Sequence, residues 1–136
     1  MNDTGPTGQS TVMVCITCRG TTNLTAAPDG DSPRPGSILA DATTLAAADA
    51  PDISVQHIRC LGNCNRGLSA AIRCGNAWTY IFGGLDPARD GPSLIIGAQM
   101  LAQATDGLMP WRGRPESLKR GLIARIPPIH FREELP

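Results

Sequence analysis

No stretch of this sequence approaches the roughly eighteen uninterrupted apolar residues of a membrane-crossing helix, and its first residues, MNDTGPTGQS, carry neither a basic nor an apolar segment. A membrane span and a secretory leader are therefore not expected, and the cytoplasm is the expected location. Excess charge of either sign is also lacking. Twelve Lys and Arg balance twelve Asp and Glu, and the pI is near 6.7. General attraction to nucleic acid or to an anionic membrane needs a basic balance, so neither partner is expected. A paired acid and base, a nucleophile with its base and a phosphate-cradling glycine loop are missing too, which leaves the cysteines as the chemistry-bearing residues.

What is present is a globular composition, with 41% hydrophobic and 18% charged residues, in a chain of 136 residues that suits one core. Fifteen Gly and twelve Pro announce many turns. The five cysteines, Cys15, Cys18, Cys60, Cys64 and Cys74, cannot pair off, and in a reducing compartment they read as ligands or catalytic groups rather than as a disulfide framework.

Residues 1–10 read as a disordered leader, and TVMVC from Thr11 as a buried strand that ends on the first cysteine. Thr21 to Gly36 is too polar and too rich in Pro and Gly for regular structure. From Ser37, placed as an N-cap, the spacing of Ile38, Leu39, Ala42, Leu45 and Ala46 predicts a helix closed by Ala50-Pro51. DISVQHIR reads as a strand leading to Cys60, and SAAIRC and AWTYIFGGL as a hairpin about Gly75-Asn76. After Pro87, Leu94, Ile95, Ala98, Leu101 and Ala102 share one face of a second helix, with Gly107 placed to cap it. The order β, loop, α, β, β, β, α predicts an α/β fold of thioredoxin-like kind, a small mixed sheet flanked by two helices. Residues 11–108 form that domain. A Pro- and Arg-rich extension, 109–136, holds five prolines and half of the basic residues, with enough Trp, Leu and Ile to pack along the body.

Cys15-x2-Cys18 and Cys60-x3-Cys64 lie 41 residues apart, and two close pairs far apart in sequence are what a four-thiolate site needs. Three chemistries compete: a 2Fe-2S cluster, structural zinc in a closed tetrahedron, and a dithiol at Cys15 and Cys18. The dithiol reading wants a helix opening on the nucleophilic cysteine, and the residues after Cys18 do not provide one. Zinc sites of this size more often take C-x2-C at both ends. Gly62, without a Cβ, lets backbone amides approach sulfur, and Arg19, Arg59, Arg66 and Arg73 each lie within two residues of a cysteine.

CLGNC at 60–64, below an upstream pair at a strand end, resembles the thioredoxin-like 2Fe-2S ferredoxins, including the ferredoxin-like small subunit of respiratory complex I. The first pair is closer than in that subunit, and the Ala-Pro that follows the second pair there is missing. From about Thr11 to Pro128, CITCRG, PGSIL, RCLGNCNRGLSAAI, WTYIFGGL, PWRGRP and LIARIPP resemble a bacterial domain-of-unknown-function family of predicted metal-binding proteins, whose genes often lie among cobalt and cobalamin genes. The resemblance implies that Cys15, Cys18, Cys60 and Cys64 are the ligands of a 2Fe-2S cluster or metal. It further implies an electron carrier, with a redox partner in cobalamin metabolism and a homodimeric state. The rival reading is a non-redox accessory protein that binds zinc or cobalt through the same thiolates.

Cys74, on the strand before the hairpin turn, is expected in the core. His57 and His130 are read as structural rather than as ligands. Trp78, Tyr80 and Phe82 alternate on one strand face, for which core packing is expected.

Overall fold

The computed structural model describes residues 9–17, 34–62 and 67–129. Its elements run β1 (Ser10–Cys15), α1 (Pro35–Ala46) with a following turn of 3-10 helix (Ala47–Asp49), β2 (Ile53–Ile58), β3 (Ala70–Arg73), β4 (Thr79–Phe82), α2 (Asp90–Gln103), α3 (Glu116–Arg120) and β5 (Leu122–Ile126). The five strands form one sheet in the order β2-β1-β3-β4-β5. β1 and β2 are parallel and the other pairs antiparallel. A parallel neighbour needs a long crossover, which the segment containing α1 supplies.

β-branched and aromatic residues explain both the strands and their buried face. Registers Val12↔Ile72, Val14↔Ala70, Ala70↔Phe82 and Ile72↔Tyr80 put these six side chains on one side of the sheet, each no more than 1% exposed. Leu39 and Ala40 of α1 and Leu94, Ile95, Ala98 and Leu101 of α2 complete the core with them. Ser10 at the start of β1 donates from its buried hydroxyl to Ala98 O at 2.8 Å, tying the sheet to α2. The expected core role of Tyr80 and Phe82 holds, with their rings stacked at 6.3 Å between centroids. The Tyr80 hydroxyl accepts the buried Met109 N–H at 2.8 Å. Tyr80→Phe strands that amide, and a loss of about 1–3 kcal/mol, read as a lower urea midpoint at unchanged slope, is expected.

Three expectations are corrected. α1 starts at Pro35, whose fixed φ is pre-organised for a first helical position, and Ser37 lies inside the first turn instead of capping it. The face of α1 is also different, because Gly36, Leu39, Ala40 and Thr43 are buried while Ile38 and Leu45 are 43% and 76% exposed. Close helix crossing is the reason. A Cβ added at Gly91 of α2 would lie 2.8 Å from the Ala42 backbone carbon, so only small residues fit between the two helices. Finally, α2 ends at Gln103, and Gly107, at φ +76°, serves the turn beyond it. There its carbonyl accepts the Trp78 N–H at 3.0 Å.

The chain beyond Met109 adds α3 and the strand β5, elements that the sequence pattern did not predict. β5 pairs antiparallel with β4, and Leu118 of α3 is fully buried. Among the described residues no helix is long and apolar enough to cross a membrane.

Candidate metal centre

The parallel pairing of β1 and β2 brings their carboxyl ends together. Cys15 closes β1 opposite Ile58, the last residue of β2, and Cys60 follows two positions later. The ladder then runs on past the strands. Ile16 N–H donates to Ile58 O at 2.8 Å, and the Thr17 hydroxyl donates to Arg59 O at 2.6 Å. Cys15 N–H is held by Ser69 O at 3.1 Å, so β1 is fixed from both sides where the cysteine sits. Its Sγ, 2% exposed as a residue, lies 3.8 Å from Arg59 O. The stretches before and after the gap of 41 residues are thus neighbours in space, as a site drawn from both cysteine pairs requires.

On the second loop Cys60 is exposed, and the Gly62 N–H points at its Sγ, 3.2 Å away. Gly62 has φ +73°, and a Cβ there would meet nothing within 4 Å. The glycine is needed for its left-handed backbone, which turns the amide back onto the sulfur, rather than for room beside it. An N–H aimed at a ligand sulfur is the kind of outer hydrogen bond that holds such a ligand in its orientation.

Cys18, Cys64, Arg19, Arg66 and His130 lie outside the described residues, as do residues 1–8 of the expected leader and 21–33 of the expected loop. Among the described residues no group of three or more His, Cys, Asp or Glu could hold a metal ion. Cys74 is 6% exposed and, with Arg73, sits at the other end of the sheet from Cys15, because Arg73 pairs with Thr11. Four residues of strand separate the two ends, about 13 Å, so proximity in sequence had overstated the place of Arg73. Arg59 is exposed beside Cys60. His57 Nε2 lies 3.1 Å from Thr44 Oγ1 and joins β2 to α1, in keeping with a structural role.

Two contributors have no motif to announce them. Arg34, immediately before α1, donates from Nη1 to Thr17 O at 3.0 Å and brings a guanidinium to the Cys15 loop. Thr17 itself ties the loops together through Arg59 O. The only sequence signal was a positive residue ahead of a proline-started helix. At the same end of the sheet, a cavity of about 610 Å³ opens between Gly83-Gly84, the start of α2 and α3. It carries the Arg89–Asp86 and Arg120–Glu116 pairs together with Asp90, and among the described residues its lining holds no histidine or cysteine.

The family described as "Protein of unknown function (DUF1636)" matches residues 12–128. No curated protein matches the chain. The structure is similar to the wild-type thioredoxin-like [2Fe-2S] ferredoxin from Aquifex aeolicus, with a TM-score of 0.51 and 12% identity over 85% of this chain and 97% of that one. A second structure of a thioredoxin-like [2Fe-2S] ferredoxin from Aquifex aeolicus gives 0.49 and 15% over 90% and 98%. The fold is the thioredoxin-like α/β arrangement that the element order predicted.

Proposed function

For a chain that belongs to the family "Protein of unknown function (DUF1636)" and has a thioredoxin-like fold, we propose that Cys15, Cys18, Cys60 and Cys64 hold a 2Fe-2S cluster and that the protein carries single electrons to a partner protein. The observation that carries this reading is the convergence of the Cys15 and Cys60 loops at one sheet end, with the Gly62 amide turned onto Cys60 Sγ at 3.2 Å. Soft thiolate donors fit such a group, and amide hydrogen bonds to ligand sulfur suit its negative charge. Bound there, a 2Fe-2S group supplies one-electron chemistry.

The chain's own residues do the rest. Cys15, nearly without solvent exposure, offers its sulfur from a strand end held on both sides, so its position varies little. Cys60 offers its sulfur from an exposed turn, the side open to a partner. Arg34 and Arg59 place positive charge on either loop, which favours the more negative, reduced state and raises the potential. The reading extends to a protein of the cytoplasm, where thiols stay reduced, and, on the family resemblance, to a partner in cobalt or cobalamin metabolism.

The test is anaerobic purification followed by a visible spectrum and assays of iron, acid-labile sulfide and zinc. Iron and sulfide in equal amounts with a coloured protein are expected. A colourless protein with stoichiometric zinc or cobalt would assign the thiolates to a non-redox accessory role, and free reactive thiols without metal would assign them to a dithiol reductase. Gly62→Ala keeps every thiol but opposes φ +73°, a strain of about 1–2 kcal/mol. Its metal is expected to leave about tenfold more readily to a chelator, the usual scale for a lost outer hydrogen bond.

A further inference from the structure

The balanced charge of the whole chain conceals a segregated one. Between Met109 and Ile129 stand Arg112, Arg114, Lys119, Arg120 and Arg125, against Glu116 alone. Glu116 pairs with Arg120 at 3.6 Å, so the other four cations have no carboxylate partner among the described residues. In their midst Trp111 is 60% exposed, unusual for the largest apolar side chain. It is nonetheless held in place. The Arg114 guanidinium lies 5.2 Å from the indole centroid and 5.6 Å from that of Tyr80, while the Lys119 ammonium lies 5.1 Å from the indole. Arg114 is anchored in turn, donating to the carbonyls of Met109 and Pro110. Arg125 lies over Trp78 at 4.5 Å and extends the positive field along β5.

We propose that this surface, formed by residues 109–115, α3 and β5 with Trp111 at its centre, docks an acidic face of a partner protein. A pre-positioned Trp flanked by Arg and Lys has the composition of an interface hot spot, and the two cations packed on its ring restrict it before binding, which lowers the entropy lost on docking. The exposed Arg112 and Arg125 and the half-buried Lys119 steer an acidic partner toward it, whereas Arg114, 8% exposed, serves to hold the indole in place. A protein suits the patch better than nucleic acid does, because the chain as a whole is neutral and one exposed indole is not a stacking platform for successive bases. The surface lies at the β5 edge of the sheet, separated by β3 and β4 from the strand that carries Cys15. The inference does not depend on the cluster, and a binding assay that ignores metal separates failure of one from failure of the other.

The experiment uses the full chain as purified and fluorescein-labelled poly-L-glutamate as probe, read by anisotropy at low salt. Saturable binding that weakens as sodium chloride rises is expected. Arg112→Glu with Lys119→Glu, and separately Trp111→Ala, are each expected to weaken it by about tenfold or more, whereas Arg89→Glu, on the far side of α3, should change it by less than about twofold. Circular dichroism checks the fold of each variant, and Arg112→Glu alone, at an exposed side chain, serves should the double variant unfold. Unchanged affinity in the charge-reversed variants overturns the proposal, as does an equal loss in Arg89→Glu. Tighter binding of a single-stranded oligodeoxynucleotide of matched charge overturns it in favour of nucleic acid.

Discussion

Cys60→Ser is expected to abolish metal binding, leaving iron at or below about one tenth of the wild-type content after anaerobic purification, since serine replaces a soft thiolate with a hard, largely protonated hydroxyl. The turn that presents residue 60 need not change, because the Gly62 amide can donate to oxygen as well as to sulfur. The loss should therefore be one of chemistry and not of fold, with the far-ultraviolet spectrum retained. Cys15→Ser should do the same from the strand side. Cys74→Ala is the control: the residue is 6% exposed in the core at the opposite end of the sheet, and its removal should leave the metal in place. Full metal content in Cys60→Ser would show that the ligand set is wrong, and loss of metal in Cys74→Ala would show that the two ends of the sheet are not independent.

The largest effect on stability is expected from Leu118→Ala, at about 2–5 kcal/mol for a buried leucine cut to alanine. Leu118 is fully buried although α3 has only five residues. It fills the space left by a glycine, for a Cβ added at Gly97 would lie in hard contact with its Cδ1. One side chain therefore clamps α3 to α2, and through Gly121 N–H to Ser117 O and Gly83 N–H to Gly121 O it sets where β5 begins. A chemical denaturation curve checks the magnitude. A change below about 1 kcal/mol, smaller than a well-packed site allows, would mean that α3 rests only loosely on the body.

Strands were legible where local chemistry and burial agree. TVMVC and ISVQHI are rich in β-branched residues and lie where predicted, and Gly75 takes the positive φ that its turn demanded. The face of α1 was not legible, because Ile38 and Leu45 carry the apolar period while a crossing helix selects the smaller Gly36, Ala40 and Thr43. That choice is made by α2, some fifty residues away, and no window on α1 contains it. β5 was hidden for a similar reason: LIARI sits between Gly121 and Pro127 in a basic segment, and its strand character comes from pairing with β4. Of the candidate site, the cysteines and Gly62 were visible as a motif, whereas Arg34 and Thr17 act through backbone carbonyls that leave no mark on the sequence.

The pairing of β5 on β4 has a consequence for handling the protein. Thr79–Phe82, TYIF, is short, aromatic and uncharged, the composition of a segment that recruits other copies of itself when its backbone is bared. β5 covers that backbone and presents in its place an edge bearing Arg125 and ending at Pro127-Pro128, residues that discourage further strand addition. A protease that clips the chain near Gly121 would bare that edge and turn the protein into a seed for fibrillar precipitation, and light scattering after limited proteolysis should rise before the secondary structure is lost.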